Sequence, residues 1–275
     1  MSFLKQIEGL ILDMDGVLWR GETPMPGLQQ FFETLDRLGI NYVLATNNAT
    51  RVATQYTDKL ARFGVNVTPE HILTSSEATA GYLREEGHYP AGTLAYVVGE
   101  SGLQQAMRER GFHLLEAEAF VGEEARADLV VVGFTRHFCY PQLASAAYLI
   151  SKGAAFVGTN PDLTFPTEIG PLPGAGSLLA FIKAATGVEP LVIGKPGRAI
   201  FQEAIERLGS PPEKVAMVGD RLETDIQGAQ SAALYTVLLL SGVTRRQKLE
   251  ASSIQPDLVC ADIGELAEEL KRVRL

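Results

Sequence analysis

The stretch GLILDMDGVLW, Gly9 to Trp19, decides the fold. GLIL is a short apolar run without polar alternation, the pattern of a strand buried on both faces of a parallel sheet. It ends in two carboxylates, Asp13 and Asp15, with Gly16 behind them. In extended backbone, residues two apart start on the same side. Two like charges held close raise the free energy of the doubly ionised state. A hard cation between them relieves this, and Mg²⁺ prefers oxygen ligands. Gly16 permits the sharp turn that aims a backbone carbonyl at such an ion. An Asx-type turn closing a strand reads the same Asp-Gly pair without any ion.

Outward from this stretch, apolar runs alternate with amphipathic segments, the rhythm of βα units. Helix 26–38 carries Leu28, Phe31, Phe32, Leu35 and Leu38 on one face, and Gly39 ends it. Strand 40–45, helix 54–63, strand 71–74 and helix 77–86 follow. The series then restarts with strands at 93–98, 128–132 and 154–157 and helices at 104–110 and 142–152. Helix 177–186, strand 191–193, helix 198–208, strand 214–218, helix 224–233 and strand 236–240 continue it. An edge strand at 257–260 and a helix at 264–273 close it. The fold class is α/β with a doubly wound parallel sheet.

In such a sheet, ligands bind at the carboxyl ends of the strands. INYVLA is followed by Thr46-Asn47-Asn48, LVI by Gly194-Lys195-Pro196-Gly197, and KVAMV by Gly219-Asp220, with Asp225 five residues on. Singly, these read as a helix cap, a surface lysine and a helix-start carboxylate. Together they supply carboxylates, a hydroxyl, amides and a lysine at one sheet edge. That set suits phosphoryl transfer, which is largely positioning and electrostatic stabilisation. Asp13 would be the nucleophile and take the phosphoryl group, and Asp15 the general acid and base. Thr46 and the Asn47 N–H would hold phosphate oxygens, and Lys195 would supply positive charge. Asp220 would hold the metal, and Asp225 would ligate or orient.

Composition narrows the classes. The 275-residue chain is 46% hydrophobic and 21% charged, with a net charge of −9. That excludes a disordered chain, and an acidic chain without a basic run is a poor nucleic-acid binder. No run reaches the length of a membrane span, and MSFLKQIEG does not read as a signal peptide. Cys139 and Cys260 make neither a disulfide framework nor a zinc spacing, which points to the cytoplasm. His137 and Cys139 in TRHFCY have no ligand spacing. Gly99-Glu100-Ser101-Gly102 lacks the residues of a P-loop. A homodimer joined through apolar surfaces is a further expectation.

DMDGVLW (Asp13–Trp19), ATNN (Ala45–Asn48), GKP (Gly194–Pro196) and GDRLETD (Gly219–Asp225) together resemble the haloacid dehalogenase superfamily of phosphotransferases. DGVLWRG (Asp15–Gly21), GTNPD (Gly158–Asp162), PGAG (Pro173–Gly176) and LLLSGVT (Leu238–Thr244) resemble its NagD-like, 4-nitrophenylphosphatase-like branch. The resemblance implies a Rossmann-like core, residues 1–78 and 183–275, with an inserted α/β cap at 79–182. It implies Asp13 as nucleophile and metal ligand, and Asp15 as acid/base and ligand through its carbonyl. Thr46, Asn47 and Lys195 then bind phosphate, Asp220 is the metal carboxylate and Asp225 its support. One Mg²⁺ per site is expected. Thr159, Asn160 and Asp162 are the cap-side candidates, against a proline turn held by Asx bonds.

The expected activity is hydrolysis of small soluble phosphate esters: phosphoglycolate, sugar phosphates, nucleoside monophosphates or 4-nitrophenyl phosphate. Three alternatives stand beside it. They are a phosphotransferase or mutase of the same fold, a receiver-like signalling module, and a catalytically silent phosphate-binding module. A receiver is much shorter and carries no inserted cap.

Overall fold

A computed structural model describes residues 3–115, 120–167 and 170–274. In chain order the strands are β1 (Gly9–Leu12), β2 (Trp19–Arg20), β3 (Thr23–Pro24), β4 (Asn41–Thr46), β5 (Ile72–Thr74), β6 (Leu94–Val98), β7 (His113–Leu114), β8 (Leu129–Val132), β9 (Ala155–Gly158), β10 (Thr164–Thr167), β11 (Gly170–Pro173), β12 (Leu191–Val192), β13 (Val215–Gly219), β14 (Tyr235–Leu239) and β15 (Leu258–Cys260). The α-helices are α1 (Leu28–Leu38), α2 (Ala53–Arg62), α3 (Ser75–Glu85), α4 (Ser101–Glu109), α5 (Tyr140–Ser151), α6 (Ala175–Thr186), α7 (Arg198–Leu208), α8 (Gln227–Ser231), α9 (Arg246–Glu250) and α10 (Ile263–Arg274). Two compact units result: Met1–Thr46, Ala53–Leu73 and Ile200–Leu275 form the first, and Asn47–Val52 with Thr74–Ala199 the second.

The first unit is built on a six-stranded sheet of order β15-β14-β13-β1-β4-β5. β1 lies between β13 and β4, parallel to both. Every residue of β1 and of β13 is buried, so neither shows alternation. The chain runs from β1 outward through β4 and β5, then returns to β13 on the other side. The order therefore reverses between β1 and β13, where doubly wound sheets bind ligands. Helix α1 buries Leu28, Phe31, Phe32 and Leu35, a stripe at helical spacing. Gly39 ends it in the left-handed region at φ 65°. Beside it packs α10, and Arg274 Nε donates to the Leu4 carbonyl at 2.9 Å, with a second guanidinium bond to the Ile7 carbonyl.

The second unit has its own five-stranded sheet, order β12-β9-β8-β6-β7, parallel at every pairing. Its core joins Val98, Val130, Val132 and Phe156 to Leu149, Leu178 and Ile182 of α5 and α6. β10 and β11 form an antiparallel hairpin. The restarted strand–helix series in the sequence corresponds to this sheet, and both units are α/β.

Some elements depart from the sequence reading. The hairpin β2–β3, the hairpin β10–β11, the strand β7 and the short helix α9 were not expected. β2, β3 and β7 have two residues each, too few to show a period of two, and the prolines of β10 and β11 argue against a strand in the sequence. The expected helix at 224–233 is a π-helical turn over Leu222–Ile226 followed by α8. Among the described residues, no helix is long and apolar enough to cross a membrane.

Candidate active site

The register of the first sheet fixes the acids. Leu12 pairs with Val218 on one side and Leu44 on the other. The Asp13 N–H donates to the Val218 carbonyl at 2.9 Å, carrying the ladder one residue past β1. Asp13 therefore leaves the sheet level with the carboxyl ends of β13 and β4. β13 ends at Gly219, just before Asp220, and β4 ends at Thr46. Carboxylate oxygens of Asp13, Asp220 and Asp225 lie within 4.8 Å of one another, and all three residues are buried. The Asp15 carboxylate is not in this group. It is exposed, and its Oδ1 accepts the Trp19 indole N–H at 2.8 Å.

Backbone holds each acid in place. Asp225 Oδ2 accepts the N–H groups of Asp220 (3.2 Å) and Arg221 (3.0 Å), so it braces the loop that carries Asp220. Asp225 reaches back because the chain after Arg221 winds as a π-helical turn, a form concentrated at functional sites. Asp220 Oδ2 accepts the Val243 N–H at 2.6 Å, and the Thr244 N–H donates to the Asp220 carbonyl at 3.1 Å. Gly16 (φ +90°) and Gly242 leave room for this carboxylate, since a Cβ at either would fall under 3.0 Å from Asp220 Oδ2. The 242–244 loop lies far along the chain from Asp220. In the sequence it falls within LLLSGVT, Leu238–Thr244.

Three buried carboxylates so close repel one another strongly in low dielectric. A divalent cation among them removes that cost. The donor set is all oxygen, which suits a hard ion rather than a soft one. The residues therefore fit a divalent metal.

The remaining candidates gather in the second unit. Asn47 Nδ2 donates to the Lys195 carbonyl (2.9 Å) and to Asp162 Oδ2 (3.2 Å). The Asn47 carbonyl accepts Asn160 Nδ2 (2.7 Å) and Ser75 Oγ (2.7 Å). The Gly194 N–H donates to the Thr159 carbonyl at 2.9 Å, and a Cβ at Gly194 would fall under 3.0 Å from that carbonyl. Lys195 is 2% exposed, Thr159 0% and Asn160 4%. GTNPD and GKP, far apart in sequence, thus close around Asn47. Ser75, which no motif in the sequence marks, joins them as the first residue of α3.

Comparison with known proteins points to one family. Residues 10–113 match the haloacid dehalogenase-like hydrolase family, and residues 192–266 a HAD-hydrolase-like family. An acid sugar phosphatase of Staphylococcus aureus is 34% identical over 98% of this chain and all of its own length. A 4-nitrophenylphosphatase structure from Thermotoga maritima shares 36% identity and a TM-score of 0.87, covering 97% of this chain and 98% of its own. A glycerol phosphate phosphatase from Mycobacterium tuberculosis, solved with magnesium, shares 32% identity and a TM-score of 0.87, covering 99% of this chain and 80% of its own. By its buried acids, its sheet order and these relatives, the chain belongs to the haloacid dehalogenase-like hydrolases, in their NagD-like phosphatase branch.

Proposed function

We propose that the chain is a cytoplasmic, Mg²⁺-dependent phosphomonoesterase that hydrolyses small soluble phosphate esters through an aspartyl-phosphate on Asp13. The observation that carries this is the buried group Asp13, Asp220 and Asp225 at the carboxyl end of the sheet, where its order reverses. Relatives named for sugar, 4-nitrophenyl and glycerol phosphates favour this substrate class. Residues 79–182, expected as an insertion into a core of 1–78 and 183–275, serve as the specificity cap; they lie inside the wider second unit, which also takes in 47–52, 74–78 and 183–199.

Asp13, Asp220 and the Asp15 carbonyl would hold the ion, with Asp225 in support. When bound, Mg²⁺ offsets the negative charge of carboxylates and phosphate. Asp13 attacks phosphorus and forms a P–O bond as the bond to the leaving oxygen breaks. Asp15, protonated, gives its proton to that oxygen. As a carboxylate it then takes a proton from water, whose oxygen attacks phosphorus. The Asp13–phosphorus bond breaks and inorganic phosphate leaves. Thr46 and the Asn47 N–H hold phosphate oxygens, and Lys195 adds positive charge, as the motif order implies. Asn160, Asp162 and Ser75 fix Asn47 for this task, and Thr159 anchors the GKP turn.

The test is purified protein against a panel of sugar, glycerol, glycolyl, nucleoside and 4-nitrophenyl phosphates, with and without chelator. We expect phosphate release that needs divalent metal and vanishes in Asp13→Asn, while that variant stays folded. Normal turnover by Asp13→Asn defeats the assignment. Phosphoryl transfer to added alcohols in preference to water would show a transferase instead.

A further inference from the structure

Asp15 and Trp19 make a contact that the proposed reaction does not by itself explain. The Asp15 carboxylate is exposed, yet its Oδ1 accepts a bond from an indole that is 0% exposed. Local backbone creates the meeting. The Leu18 N–H donates to the Met14 carbonyl (2.8 Å) and the Gly16 N–H to the Trp19 carbonyl (2.8 Å), folding Trp19 back over Asp15. The ring itself is clamped. Tyr56 stacks on one side at a centroid distance of 6.3 Å, and Phe63 tilts against it at 6.2 Å. The Lys59 ammonium sits 4.5 Å from the ring centroid.

Lys59 is unusual for its place. It lies on the buried face of α2 with Tyr56 and Leu60, and is 3% exposed. Its Nζ donates to the Gly21 carbonyl at 2.6 Å, at the tip of the β2–β3 hairpin, and lies 3.5 Å from Glu22. A cation over an aromatic face is attracted by the ring quadrupole. It also draws ring density away from Nε1, which strengthens the N–H as a donor to a carboxylate.

We propose that Trp19 and Lys59 are positioning residues that hold the Asp15 carboxylate in one orientation before substrate arrives. This deepens the phosphatase reading and rests on it. An exposed carboxylate otherwise samples several rotamers, and aligning it is part of the barrier to proton transfer. The rigid indole removes that freedom in advance, and Lys59 fixes both the indole and the hairpin that carries it.

The chain has a single tryptophan, so its indole proton is one resolved signal. In ¹⁵N-labelled protein without added metal, we expect one indole cross-peak, shifted downfield by the carboxylate. Asp15→Ala moves it upfield and speeds its exchange with water. Lys59→Met moves it the same way by less. With 4-nitrophenyl phosphate and metal, Trp19→Phe keeps the ring and loses the donor. We expect kcat to fall about tenfold or more, with KM within about twofold. In an Asp15→Ala background, Trp19→Phe should cost nothing further, because the two act as one unit. An unmoved cross-peak in Asp15→Ala overturns the proposal, as does wild-type kcat in Trp19→Phe. Should Trp19→Phe fail to fold, the Asp15→Ala spectrum decides. A wild type that releases no phosphate from any ester overturns the parent reading, and is told apart because the indole signal still responds to Asp15→Ala.

Discussion

Cys260 and Cys139 present the same side chain in opposite surroundings. Cys139 is exposed, whereas Cys260 is buried at the end of β15. Burial, together with the negative charges of Glu265, Glu269 and Asp262, pushes the Cys260 thiol up to about 12 from its usual 9.0. The thiolate is the reactive form, so at about pH 8 Cys260 stays inert. We expect one fast thiol in a titration of native protein and two after denaturation. Two fast thiols in native protein would contradict the burial. The sign for stability follows. The raised group keeps its proton in the native state while the unfolded chain loses it first. This contribution is whole below pH 9.0 and is lost as pH rises towards about 12. Denaturant midpoints taken across that window should fall, and a Cys260→Ala variant should show less of the decline. Asp13 and Asp220 stand out in the sequence because each follows an apolar run, whereas Asp225 is marked only by its spacing from Asp220. The cradle of Asp220 was not legible, since Val243 donates from 23 positions away and no local pattern announces it.

At the scale of elements, the π-helical turn over Leu222–Ile226 holds the most chemistry per residue. Its Asp225 satisfies the buried N–H of Asp220 and the part-buried N–H of Arg221. Removing one partner and leaving buried donors unmet costs about 1–3 kcal/mol. We expect Asp225→Ala to lower unfolding stability by that amount and to weaken metal binding. Asp225→Asn, which keeps an acceptor oxygen, should retain most of the stability while still losing metal affinity. Calorimetry and metal titration separate the two effects. Equal stability losses in both variants would deny the bracing role. Helix periodicity gave this segment as one continuous helix, because periodicity cannot tell an i→i+5 turn from an i→i+4 one. α1 and α2 were legible because their apolar residues recur at helical spacing. The place of Lys59 on the buried face of α2 was not, since a lysine inside an apolar stripe reads as solvated until the ring beneath it is known.

At the scale of the molecule, both α/β units follow from alternation and restart in the hydrophobic pattern, which depends on burial and survives distant sequence change. Metal binding should be visible here as well. A ligand that binds only the folded state stabilises it by about 2.7 kcal/mol at a hundredfold excess over Kd. We expect Mg²⁺ to raise the melting temperature of wild type and to leave Asp220→Asn unmoved. No rise in wild type would speak against the acidic group as a metal site. The bonds from Arg274 to the carbonyls of Leu4 and Ile7 have a different consequence. They bring the two ends of the described chain together on the first unit. A short glycine-rich linker could close them into a ring, and the polypeptide could then be reopened at an exposed loop such as 122–124. Such a circular permutant would keep every strand pairing while reversing which half leaves the ribosome first, so the order of synthesis and the architecture can be varied independently.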